Sequence, residues 1–134
     1  MKVIIDTNVF VSGVFFSGAP FQILEAWSDG KIQLVVSPEI IDEYHRVGEI
    51  LAEKYPMVDL QPMLDYTIQN AETYSALPLP EPVCEDPDDD KFLACALVSG
   101  SKVIISGDRH LLEVSGFQEI KVLKPRDFVN DYLV

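Results

Sequence analysis

The sequence predicts an α/β fold, a central and mostly parallel sheet covered by helices on both faces. Three observations carry that expectation. Short β-branched runs recur along the chain: KVIID at 2–6, IQLVV at 32–36, KVIIS at 102–106 and IKVL at 120–123. Longer stretches with helical apolar spacing separate them, opened by capping residues or first-turn prolines. The composition, 134 residues with 48% hydrophobic and 24% charged, suits one domain spanning residues 1–134 around one core. Strands that alternate with helices run parallel, because each crossover helix packs back onto the sheet.

Lys2–Asp6 reads as a buried strand that ends on an acid. A helix follows from about Asn8 and breaks near Ser17-Gly18. A second helix spans Pro20–Asp29, with Gly30 as its C-terminal stop. Ile32–Val36 is the second strand. Ser37-Pro38, a cap followed by a first-turn proline, opens a long helix to about Tyr55, with Ile40, Ile41, Tyr44, Val47 and Leu51 along one face. Asp59 caps another helix, expected to run to about Tyr74. Four prolines make Leu77–Pro87 a loop. Asp88–Val98 is a helix with acids in its first turn, where the helix dipole favours them. Lys102–Ser106 is the third strand, Arg109–Val114 a short helix, Ile120–Leu123 the fourth strand, and Pro125 starts the last helix.

Charge and cysteine usage narrow the function. With 22 acidic and 10 basic residues the formal charge is -12, which excludes a domain that holds nucleic acid by bulk positive charge. Cys84 and Cys95 are too few for a disulfide framework and are expected as free thiols in a reducing compartment. Asp6 and Asn8 interrupt the apolar start, against a signal peptide, and no apolar run approaches a membrane span of about 20 residues. The expected location is cytoplasmic.

The placement of the acids is the informative feature. In parallel sheets, sites collect beyond the carboxyl ends of the strands. Asp6 closes the first strand and Asp108 lies two residues past the third; Glu43 sits in the helix after the second. Asp86, Asp88, Asp89 and Asp90 form a dense group, more than a helix cap requires. Its Asp-x-Asp-x-Asp start is similar to a calcium loop, but Lys91 and Leu97 stand where that loop needs Gly and Glu. Converging carboxylates need a counterion, and their hard oxygens favour Mg2+ or Mn2+. His45 and His110 do not form a zinc spacing with the cysteines and read as ordinary helix-surface or half-buried imidazoles. No phosphate-binding glycine loop, nucleophile elbow or dinucleotide fingerprint is present.

Four segments, VIIDTNVFVSG, VVSPEIIDEYHRV, DPDDDKFLACAL and VIISGDRHLL, occur in that order between residues 3 and 112. In this the chain resembles the PIN-domain ribonucleases, and more narrowly the single-domain (VapC-like) PIN toxins of toxin–antitoxin modules. The resemblance implies an α/β/α sandwich and an endoribonuclease that hydrolyses RNA phosphodiester bonds with Mg2+ or Mn2+. Carried over by position, the metal-binding and catalytic acids fall on Asp6, Glu43, Asp90 and Asp108. Asn8 and Ser106 support them, Ser106 standing where the family more often has threonine; one of Asp86, Asp88 and Asp89 could supplement Asp90. A divalent ion would activate water and stabilise the negative charge that develops at phosphorus. Compensating the site acids still leaves an acidic chain, so RNA must be held locally, with Arg46, Lys91 and Arg109 as the nearby cations.

The resemblance also implies a small antitoxin partner and self-association, the latter through apolar residues of Asp59–Tyr74. A haloacid-dehalogenase-type phosphatase would need a second Asp where Asn8 stands, and a receiver domain would need paired acids after the first strand. A non-catalytic PIN-fold binding module with a structural acid cluster is the alternative reading.

Overall fold

A computed structural model describes residues 1–133 as five parallel strands with helices on both faces. The elements in chain order are β1 (Lys2–Ile5), α1 (Thr7–Phe15), α2 (Ala19–Ser28), β2 (Gln33–Val36), α3 (Pro38–Lys54), α4 (Gln61–Asn70), β3 (Glu72–Thr73), α5 (Asp90–Ser99), β4 (Val103–Ile105), α6 (Arg109–Leu112), β5 (Lys121–Leu123) and α7 (Pro125–Tyr132). The sheet order is β3-β2-β1-β4-β5. β1 lies in the middle, its residues Val3, Ile4 and Ile5 fully buried, as a two-face-covered parallel strand must be. β1 pairs with β2 through Lys2 opposite Gln33, and with β4 through Ile5 opposite Ile105.

Local signals set most boundaries. Ser37 accepts the Ile40 amide at 3.3 Å and starts α3. Gly30 and Gly100, at φ +80 and +77, take up the left-handed turns after α2 and α5. Asp59 accepts the Gln61 amide at 3.1 Å at the head of α4, as expected.

Three expectations need correction. The helix from Asp59 does not reach Tyr74: α4 ends at Asn70, and Glu72–Thr73 adds a fifth strand beside β2. The Tyr74 amide donates to the Val36 carbonyl at 2.9 Å, so open backbone on β2 captured a segment too short to show any period. The helix expected from Asp88 begins at Asp90, behind a 3-10 turn over Pro87–Asp89 whose Asp88 amide is capped by Asp86 at 3.0 Å. The helix from Arg109 stops at Leu112, and a 3-10 turn at Phe117–Glu119 precedes β5.

The core joins both helical layers to the sheet. Tyr44, fully buried on α3, stacks on Phe10 of α1 with ring centres 4.0 Å apart, a pairing worth about 0.5–1.5 kcal/mol beyond burial. Its hydroxyl donates to the Ile5 carbonyl. That bond ties α3 to the end of β1 and carries the neighbouring Glu43 toward Asp6. Cys84 and Cys95 are buried free thiols, each pushed up to about 12 by burial. Among the described residues no single helix is long and apolar enough to cross a membrane.

Candidate metal centre

The strand order reverses between β1 and β4, since the chain builds outward on one side of β1 and then returns to the other. At such a switch point the loops leave in opposite directions and open a crevice. Asp6 and Ser106 are the next residues beyond the Ile5–Ile105 pair. The Asp6 amide continues the ladder to the Ile105 carbonyl at 2.9 Å, and the Ser106 hydroxyl donates to Asp6 Oδ2 at 2.6 Å. The same hydroxyl oxygen accepts the Asp108 amide at 2.9 Å. One buried serine therefore positions both acids. Asp108 then caps α6, accepting the His110 amide at 3.0 Å.

Asp6 is only 4% exposed, and burial holds its carboxyl above the ordinary range. The Ser106 bond opposes that shift, while the nearby Asp108 and Glu43 charges add to it. Asp89 lies against Asp108. Burial raises its carboxyl to about 7, helped by Asp108, Asp86 and Asp6. Its Oδ2 is buried without a hydrogen-bond partner among the described residues, and His110 Nδ1 lies 3.7 Å away. Asp86, Asp89 and His110 offer ligand atoms within 4.8 Å of one another. No lysine or arginine among the described residues pairs with Asp6, Asp89 or Asp108. An orphaned, protonation-prone oxygen among uncompensated carboxylates fits a divalent cation with hard oxygen ligands.

The acids expected from sequence divide. Asp6 and Asp108 come together. Asp90, expected beside them, instead accepts the Cys84 and Val83 amides at 2.8 and 3.1 Å, which pins the proline-rich loop. Asp89, one residue earlier, faces the centre. Glu43 stands at its edge with both oxygens engaged, accepting the Thr7 hydroxyl on one and pairing with Lys91 on the other. Burial lowers the Lys91 ammonium, but the Glu43 and Asp88 carboxylates lift it above its ordinary value.

Asn8 is exposed and lines an open groove of about 650 Å³ that also touches Asp86, Asp108, Arg109 and His110. Arg109 is held loosely by Glu113 at 3.6 Å and is 74% exposed; Arg46, 65% exposed, reaches Glu43 at 3.7 Å. Two residues placed near the centre escaped the sequence reading. Thr7 was masked by its apolar-helix context, and His110 read as an ordinary imidazole although it lies 3.9 Å from Asp108. Its position two residues past Asp108 was the available signal.

Comparison with known proteins now decides the family. The PIN domain signature matches residues 2–110. The chain belongs to the PIN-domain family. PIN domains are generally metal-dependent nucleases, and PIN nucleases act on RNA. The chain is also similar to an uncharacterized protein of Methanocaldococcus jannaschii, 29% identical over 158 positions that cover 98% of this chain and 92% of that protein. Asp86, Asp89 and His110, at the crevice described above, form a group that could hold a metal ion.

Proposed function

We propose that this PIN domain is a Mg2+- or Mn2+-dependent endoribonuclease acting in the cytoplasm as the toxin of a toxin–antitoxin pair. The observation that carries the reading is the approach of Asp6 and Asp89 to Asp108, which lines a groove open to solvent, with Asp89 Oδ2 unpartnered among the described residues. These three carboxylates would hold the ion, with Asp86 and His110, whose ligand atoms cluster with that of Asp89, completing the set and Glu43 at the edge. The bound ion supplies water activation and charge stabilisation at the scissile phosphate. Ser106 keeps Asp6 ionisable despite burial by donating to it, and fixes the Asp108 backbone. Asn8 and Arg109 on the groove wall would contact the RNA backbone, and Arg46 would approach from the α3 side. Lys91, already engaged by Glu43 and Asp88, is less available for RNA than its position in the sequence implies.

Apolar surface supports a protein partner and self-association. Phe16, Phe21, Tyr55 and Met57 are exposed, and an apolar groove of about 470 Å³ between α1, α2 and α4 includes Phe21, Met63 and Tyr66. A small antitoxin would cover such surface, and Ile68 on α4 is exposed for a second copy.

The test is cleavage of a mixed RNA pool with Mg2+, Mn2+ or chelator. Wild type should cut only with metal; Asp6→Asn and Asp89→Asn should remain folded and lose cleavage by at least about a hundredfold. Full activity of either variant, or activity in chelator, rejects the assignment.

A further inference from the structure

The acids of the centre differ in one respect, whether the chain already compensates them. Lys91, on the first turn of α5, places its ammonium on Glu43 Oε2 and 3.3 Å from Asp88 Oδ1. Its side chain is 16% exposed and that of Glu43 13%, so the pair is largely withdrawn from solvent, where charges attract more strongly. The Thr7 hydroxyl occupies the other Glu43 oxygen. Both Glu43 oxygens are thus engaged by partners from two other elements, α1 and α5, with Arg46 of its own helix 3.7 Å from Oε2. Among the described residues Asp6, Asp89 and Asp108 have no lysine or arginine partner, and Asp89 Oδ2 has no hydrogen bond.

Two divalent ions in one centre need carboxylate oxygens on both sides. Here one side is filled by a covalently tethered cation that no dilution or chelator removes. We propose that Lys91 takes the place of a second metal ion, so that the chain binds a single divalent ion through Asp6, Asp89 and Asp108. The inference rests on the metal-centre reading above and goes beyond it in assigning the number of ions and the residue that sets it. Lys91 is a positioning residue on this view: it keeps Glu43 turned inward and neutral as a pair, and leaves a fixed positive charge beside the ion.

The experiment counts bound Mn2+ by calorimetric titration and by metal analysis after equilibrium dialysis, using the full chain. Wild type should bind one ion. Lys91→Met frees Glu43 and should bind two, with a larger Mn2+-induced rise in melting temperature. Lys91→Arg keeps the charge and should bind one. A double variant, Glu43→Gln with Lys91→Met, removes the pair without changing net charge and should bind one ion with affinity close to that of wild type.

Two ions in wild type, or one in Lys91→Met at unchanged affinity, overturns the inference while leaving the metal centre intact. Loss of Mn2+ binding in the double variant makes Glu43 a ligand and also overturns it. Absence of Mn2+ binding in wild type rejects the metal-centre reading itself. Should Lys91→Met fail to fold, Lys91→Gln, uncharged but still able to hydrogen-bond, takes its place in the same ion count with the same expected and overturning results.

Discussion

Asp89 and Asp90 are neighbours with opposite surroundings. A step of one residue from the 3-10 turn into α5 turns the side chain by about 100–120°, so one carboxylate faces Asp6 and Asp108 while the next holds the Val83–Cys84 backbone. Their amides should separate the two roles. Asp89→Asn removes a repelled charge and should leave metal-free stability equal or higher, while abolishing the Mn2+-induced stabilisation. Asp90→Asn keeps only one acceptor oxygen for two amides and should cost about 1–2 kcal/mol, with the Mn2+ response retained. Thermal melts in chelator and across a Mn2+ titration measure both; the opposite pattern would return the ligand role to Asp90. The Asp89 carboxyl also predicts a pH dependence. Its folded-state value, about 7, lies above the ordinary 3.8, so between those values the folded chain holds more proton than the unfolded one. Metal-free stability should therefore fall as pH rises from about 4 to about 7, by on the order of 2 kcal/mol more in wild type than in Asp89→Asn. Parallel pH curves for the two proteins would refute the shift.

Helix crossings set how closely the elements approach. α1 and α2 meet at 88°, and a Cβ on Gly13 would lie 2.8 Å from the Pro20 carbonyl oxygen. Backbone cannot yield as a side-chain end can, so Gly13→Ala should destabilise by about 1–3 kcal/mol. On α3 a Cβ on Gly48 would meet first the side chain of Leu60, just before α4, its nearest methyl at 2.6 Å. There a rotamer change can make room, and alanine's helix propensity returns about 1 kcal/mol, so Gly48→Ala should stay near neutral. Urea unfolding of both variants tests the contrast, and equal losses would mean that Leu60 is as immobile as the backbone.

At the scale of the whole molecule, sheet order and net charge act together. The switch between β1 and β4 gathers acids from separate junctions into one crevice, on a chain already at -12. Such a surface repels RNA unless the crevice is neutralised. Binding of a nuclease-resistant phosphorothioate RNA, followed by fluorescence anisotropy, should accordingly require Mn2+ and weaken at least about tenfold in chelator. Binding that persists without metal would point to a cationic surface elsewhere on the chain.

The strands β1, β2, β4 and β5, the long helix α3 and the acids Asp6 and Asp108 were legible in the sequence, because β-branched runs, caps and strand-end positions are local signals. β3 was not, because two residues carry no period and only the open edge of β2 makes Glu72–Thr73 a strand. Glu43 and Lys91 lie 48 residues apart, and nothing local announces that they pair. The choice between Asp89 and Asp90 likewise depends on where the 3-10 turn over Pro87–Asp89 hands over to α5. Sequence alone determined that acids would gather at the carboxyl ends of parallel strands. Only the tertiary structure decided which oxygens are already paired and which remain open to a cation, because pairing depends on distances between segments that the chain order does not contain.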